Sequence, residues 1–274
     1  MTKLLIIIIF IILSGIIYFL SIRNKEGFYN NDLEIVIARY NEDLKWLNNS
    51  KFNKYKCTIY NKGVNDTFYK PAKAKVIKLK NVGMCDHTYL YHIFTNYDNL
   101  SNITVFLPGS SDLDYKMARI HKLFKEIENR NKAVFLFNDS YNNVQEDLYT
   151  FTIDSHTPSH TKNNKLNTSN TLVPATIRPF GKWFENKFGD TIITHISYYG
   201  IFSVSNKDIK NKPKSFYDDL LNEVNKVTNH ETAHYFERSW EAVLYPLKNT
   251  DLVEGFTSFN SSNIFISGNQ SNFT

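Results

Sequence analysis

The chain has 274 residues, 42% hydrophobic, 22% charged and 15% aromatic, with ten Gly and seven Pro. That composition excludes a collagen-like or low-complexity chain and carries too much apolar surface for global disorder. Thirty-two Lys and Arg against 27 Asp and Glu leave +5, a charge too small and too evenly spread to argue for nucleic acid.

Residues 1–22 read as a transmembrane anchor. From Leu4 to Leu20 the chain runs LLIIIIFIILSGIIYFL without a charge. At about 1.5 Å per residue, that length is at the short end of what crosses a ~30 Å hydrocarbon core as a helix. The apolar run exceeds the h-region of a cleaved signal peptide and no A-x-A-like site follows it, so the reading is an uncleaved, single-pass anchor in the lipid bilayer. Lys3 before it and Arg23 and Lys25 after it give no clear orientation. Nine N-x-[ST] sequons, at Asn48, Asn65, Asn99, Asn102, Asn138, Asn167, Asn260, Asn269 and Asn272, favour a lumenal or extracellular body. Because the chain holds 33 Asn, about five are expected by chance. Cys57 and Cys85 allow at most one disulfide.

After a polar linker, residues 23–32, the body (33–256) alternates strands and helices. LEIVIA (33–38) is a continuous apolar run of the kind buried in a parallel sheet. A short helix follows, with Asn41 or Asp43 as its cap. YKCTIY (55–60) is the next strand, closed by Asn61-Lys62-Gly63. A strand near 76–79 leads through Asn81-Val82-Gly83 into a helix from 86 to 97. ITVFL (103–107), a helix over 114–129 and AVFLF (133–137) complete a strand–helix–strand unit. The polar stretch 154–175 reads as a long loop and 191–205 as a return to strand. Two helices close the domain, and the tail (257–274) reads as flexible. This order predicts a single α/β, Rossmann-like domain with a mostly parallel sheet and right-handed crossovers. Ligands then sit beyond the carboxyl ends of the strands. The chain's polar clusters fall there: Arg39 to Asp43, Asn61 to Gly63, Pro108 to Asp112, and Asn138-Asp139.

Five segments carry a resemblance: IVIARYNEDLKWL (35–47), IYNKG (59–63), NVGMCDHTYLYHIFTNYDNLSNITVFLPG (81–109), GIFSVSNKDIKNKPKSFY (200–217) and YFERSWEAVL (235–244). In this order they resemble domain of unknown function 3431, a family found in fungi and large viruses, which in turn is similar to glycosyltransferases of the GT-A fold. The resemblance implies a nucleotide-sugar donor and a glycan or protein acceptor. It places Tyr40, Asn41, Glu42 and Asp43 near a base and ribose and the Gly83 turn near a diphosphate. Lys62 and Asn81 are further nucleotide-binding candidates, and His87 at the helix start can donate to a phosphate or be a satisfied polar residue at a helix end. The chain departs from the family pattern at Met84-Cys85, where Arg and an acid are usual, with Asp86 one step later. It departs again at Pro108, where Gln is usual.

Metal-dependent glycosyl transfer needs carboxylates that hold a divalent cation on the diphosphate. Asp112-Leu113-Asp114 has the D-x-D spacing and follows a strand, so Asp112 and Asp114 are the candidates for Mn2+ or Mg2+; the alternative for Asp112 is a helix cap. Asp86, Asp139 and Glu237 are the candidate general bases.

Residues 230–234 read HETAH. On a helix, His230 and His234 lie one turn apart and can ligate Zn2+, with Glu231 activating water and Glu254 as third ligand. The chain thus carries a metallopeptidase reading beside the transferase one. A third reading is an inactive, membrane-tethered binding protein on a transferase-like scaffold.

Overall fold

The computed structural model describes residues 10–18, 33–137, 139–140, 149–155, 173–192, 194–227 and 230–255. Residues 10–18 form a helix, α1, that exposes large apolar side chains, Phe10 at 73% and Ile17 at 67%. The rest of the expected anchor, the linker, most of the 154–175 loop and the tail lie outside the described residues. Among the described residues no helix is long and apolar enough to cross a membrane.

The body is a mixed α/β domain. Strands β1 (Leu33–Arg39), β2 (Lys56–Asn61), β3 (Lys75–Lys78) and β4 (Ile103–Pro108) are parallel neighbours in the order β3-β2-β1-β4. Strand β8 (Phe202–Ser205) adds antiparallel to β4. Strand β5 (Phe135–Phe137) pairs with β9 (Leu252–Glu254) and comes up beside β8, where Ser203 N–H donates to the Val134 carbonyl at 3.2 Å and Ser203 Oγ accepts from Val134 N–H at 2.8 Å. A two-residue pair, β6 (Asp139–Ser140) with β7 (His195–Ile196), lies after β5.

Strand residues alternate between two cores, as a period of two requires. Ile35, Ile37, Val105 and Leu107 face helix α3 (Asp114–Arg130) through Ile120, Leu123, Phe124 and Ile127. Val36, Tyr60 and Phe106 face the opposite layer, built from α2 (Met84–Asn96), α4 (Phe180–Phe188), α5 (Asn206–Ile209), α6 (Lys214–Val224) and α7 (Glu231–Val243). Burial on both faces is why β1 and β4 are continuous apolar runs rather than alternating ones.

Three local expectations are corrected. The short helix after β1 is a 3-10 turn, Lys45–Asn48, preceded by Leu44 with no side-chain cap. The expected strand over 191–205 is broken between β7 and β8. Tyr199 and Gly200 take φ of +72° and +62° there, and α7 carboxylates take the Tyr199 amide in the break and two amides at the start of β7. Glu241 Oε2 accepts from Thr194 and His195 N–H, both at 2.6 Å, and Glu237 Oε1 from Tyr199 N–H at 2.9 Å. Finally, α7 starts at Glu231, so His230 is its N-cap and not a helical residue, with Nδ1 accepting from Thr232 N–H at 3.1 Å.

Gly63 shows how tightly the strand ends approach. A Cβ there would sit 1.6 Å from the Tyr40 carbonyl oxygen and 2.2 Å from Asn41 Oδ1. Gly63→Ala must therefore push the β1 and β2 ends apart, and we expect it to cost about 1–3 kcal/mol or more in denaturant unfolding. A wild-type midpoint would show that this close approach does not exist.

Candidate functional site

The strand order reverses at β1, with β2 on one side and β4 on the other. A crevice for ligands opens at such a point, beyond the carboxyl ends of the strands. The ends are tied together here: Gly109 N–H donates to the Ala38 carbonyl at 2.7 Å and Lys62 N–H to the Arg39 carbonyl at 2.8 Å.

Arg39 closes β1 and is 1% exposed. Its Nε donates to the Glu42 carbonyl at 2.8 Å, and its Nη1 to Asn61 Oδ1 at 2.7 Å and the Asn65 carbonyl at 2.8 Å. These bonds fold the 39–43 and 61–65 loops around one guanidinium. They build a groove of about 340 Å³ lined by Arg39, Asn41, Glu42, Asp43, Asn65 and Phe68, among others. Phe68 lies 3.8 Å under the guanidinium, and Arg39 Nη2 is buried there without an acceptor among the described residues. Within the loop, Glu42 Oε2 accepts from Tyr40 N–H at 2.6 Å, and Asp43 pairs with Lys45 at 2.9 Å on the surface.

A second cluster forms where α2, α3 and α7 start or pass the same edge. Gly83 and Met84 both hold left-handed backbone, φ +55° and +49°, and α2 begins there. Met84 is the non-glycine, which is the kind of strain that collects at functional sites. Lys62, 8% exposed, holds this turn by donating from Nζ to the Val82 carbonyl at 2.7 Å and to the Met84 carbonyl. Asn81 is half-buried in the same turn. Asp86, 2% exposed, accepts from Trp240 Nε1 at 2.8 Å. Burial first, and then the carboxylate of Glu237, push the Asp86 carboxyl up to about 7. A buried carboxyl on α2 thus feels a half-buried carboxylate on α7, an arrangement suited to moving a proton.

Lysines flank the pair. Burial pulls the Lys62 ammonium down to about 8, with Cys85 and Asp86 holding it up. Lys116 on α3 is 7% exposed and donates to Ser110 Oγ at 2.8 Å. Burial lowers it too, while Cys85, Glu237, Glu42 and Asp112 all favour its charge. Cys85 lies between these groups, 3.8 Å from Asp86 Oδ2, and burial raises its thiol well above the ordinary value. It is a neutral filler here, since nucleophilic cysteines need a lowered value.

The remaining candidates separate. His87 is buried and stacks on Tyr91 at 6.1 Å. Burial, then Lys62, takes its imidazole down to about 4, so it is neutral at pH 7 and supplies no cation for a phosphate. Asp112 is exposed on the loop after β4, and Asp114, also exposed, is the first residue of α3. Asp112 is not the cap of α3, because the residue in the cap position is Leu113. The backbone of Asp139 pairs with Ile196, and its side chain lies outside the described residues. Among the described residues no three His, Cys, Asp or Glu are grouped to hold a metal ion. This applies to His230, His234 and Glu254, the last of which is exposed on β9. Glu231 is 0% exposed and committed elsewhere: it accepts from Ile153 N–H at 2.9 Å and Ala175 N–H at 2.7 Å, with Arg178 Nε 2.8 Å away.

Sequence reasoning missed Lys116, Phe68 and the role of Trp240. Lys116 was findable: it stands in the apolar stripe continued by Ile120, Leu123 and Ile127, a position where an ammonium has to be buried. Phe68 sits on a long connection with no local signal. A family model described as "Protein of unknown function (DUF3431)" matches residues 35–251. No curated protein matches the chain.

Proposed function

The chain belongs to the DUF3431 family, of unknown function, and from its geometry we propose that it is a membrane-anchored, glycosyltransferase-like enzyme that takes a nucleotide-sugar donor at the carboxyl edge of β1 and β4. One observation carries the reading: at this switch point the buried Asp86 with the half-buried Glu237, the buried Lys62 and Lys116, and the Arg39–Phe68 groove lie along one edge. The nucleoside occupies the groove, its base on Phe68 and its polar edges on Asn41, Asp43 and Asn65. The diphosphate lies toward the start of α2, where the helix dipole favours negative charge. Lys62 and Lys116 supply the cations that the family's usual Arg after Gly83 would give.

In the reaction, an acceptor hydroxyl oxygen bonds to the anomeric carbon. The bond from that carbon to the diphosphate oxygen breaks, and its electron pair leaves with the diphosphate. The hydroxyl proton passes to Glu237, the more exposed carboxylate of the pair, with Asp86 as the buried partner that shares it. Mn2+ or Mg2+, if used, would be held by Asp112 and Asp114 together with phosphate oxygens, since two exposed carboxylates do not complete a shell; its chemistry would be neutralisation of the leaving charge. The acceptor is a glycan or protein hydroxyl, and the anchor puts the body at a membrane surface on the lumenal or extracellular side.

The test is release of nucleoside diphosphate from UDP- and GDP-sugars in Mn2+ or Mg2+, alongside melting temperature. Glu237→Gln is expected to lower release by roughly 10²–10⁴-fold while keeping the ligand-induced rise in melting temperature. Neither release nor a rise across both nucleotide series would overturn the proposal. A rise without release points to the tethered binding protein instead.

A further inference from the structure

We propose that Arg119 is an anion-binding residue, linked through Tyr199 to Glu237, and that the second substrate carries a phosphoryl or carboxylate group which it receives. Arg119 stands in the second turn of α3, 1% exposed. Its Nη2 donates to the Leu136 carbonyl and, at 3.3 Å, to Ser197 Oγ. Its Nε and Nη1 are buried with no acceptor among the described residues, and no ion pair to a carboxylate forms there among those residues. A buried guanidinium without counter-charge is costly, because desolvation is not offset by attraction. Burial lowers it only to about 10, so it keeps its charge at neutral pH. Guanidinium N–H groups match the oxygens of phosphate and carboxylate better than any other side chain.

The position ties this cation to the carboxylates. Tyr199 is the link: its phenol lies within electrostatic reach of Arg119, its backbone N–H donates to Glu237 at 2.9 Å, and its ring meets Tyr115 at 5.2 Å. Tyr199 thus stands between Arg119 and the carboxylate assigned the acceptor proton. Gly255 covers the guanidinium with backbone alone, and a Cβ there would sit 2.1 Å from Nη1. Lys122 Nζ reaches the Gly255 carbonyl at 3.2 Å and brings a second cation to the same strand end. Giving this anion to the acceptor rests on the transferase reading; the anion site itself does not.

The experiment is thermal melting of the full chain in chloride, inorganic phosphate or succinate at matched ionic strength. Wild type is expected to melt roughly 3–6 °C higher at a tenfold excess of the preferred anion over its dissociation constant, and the stronger of phosphate and succinate identifies the group. Arg119→Gln is expected to lose that rise and to melt in chloride at or above the wild-type temperature, because it removes an unpaired charge. Arg119→Lys keeps the charge without the planar donors and should retain only part of the rise. Two outcomes overturn the proposal: no anion effect on wild type, or an Arg119→Gln variant that melts several degrees lower in chloride and keeps the full phosphate rise. Nucleotide-sugar melts of the same variants separate the two ideas. A rise with UDP- or GDP-sugar that survives Arg119→Gln leaves the donor site standing whichever way the anion result falls.

Discussion

Glu231→Ala is expected to destabilise the protein by roughly 2–5 kcal/mol, because two buried amides, Ile153 and Ala175, lose the carboxylate that accepts from both. For a domain of this size that is a fall of roughly 5–15 °C in melting temperature. Glu231 fastens the 153 and 175 segments to the start of α7, and it also faces Arg178. Glu231→Gln keeps one carbonyl acceptor and should lose about half as much. The same residue is the water-activating acid of the metallopeptidase reading, and that reading predicts the reverse pattern: lost activity with stability intact. Stoichiometric zinc in the purified protein, with Glu231→Ala melting as wild type, would contradict the clamp.

Asp86→Asn is expected to trade stability against turnover. Folding raises the Asp86 carboxyl to about 7, from an ordinary value near 4 in the unfolded chain. Between those values the folded protein holds a proton that the unfolded chain has released. The contribution of the protonated group is therefore fully present below pH ~4 and is lost as pH rises through ~7. Asparagine is neutral throughout and can still accept from Trp240 Nε1. The variant should match wild type near pH 4 and below, exceed it increasingly between pH 4 and 7, and keep a constant advantage of at most about 4 kcal/mol above that. Its release of nucleoside diphosphate should fall by roughly 10²–10⁴-fold. Denaturant unfolding at pH 5 and pH 8 checks the first claim, and equal differences at the two pH values would mean that Asp86 is not the group held protonated.

Much of the fold was legible because the strands are buried on both faces. LEIVIA and ITVFL announce themselves as uninterrupted apolar runs, and the polar residues that follow each run mark the carboxyl edge of the sheet. The pairing of Asp86 with Glu237 was not legible, since the two are brought together only when α2 and α7 pack on the same face of the sheet. Their separate candidacy came from residue type and from the resemblance; the shared site is a tertiary fact. The break at Tyr199 was hidden for a related reason. The 191–205 stretch has strand composition, and only the α7 carboxylates reveal that its amides are bound elsewhere. HETAH shows the opposite hazard, a motif whose letters fit while its acid is buried in backbone contacts and its first histidine caps the helix.

Calorimetric titration of UDP and of GDP, each with Mn2+ or Mg2+, into the wild-type protein and Phe68→Ala tests the central claim most directly. The account predicts saturable binding of one of them at one site per chain. It further predicts a loss of roughly 5–150-fold in affinity for Phe68→Ala, the worth of one stacked base. No heat with either nucleotide, or an affinity that Phe68→Ala leaves unchanged, would contradict it.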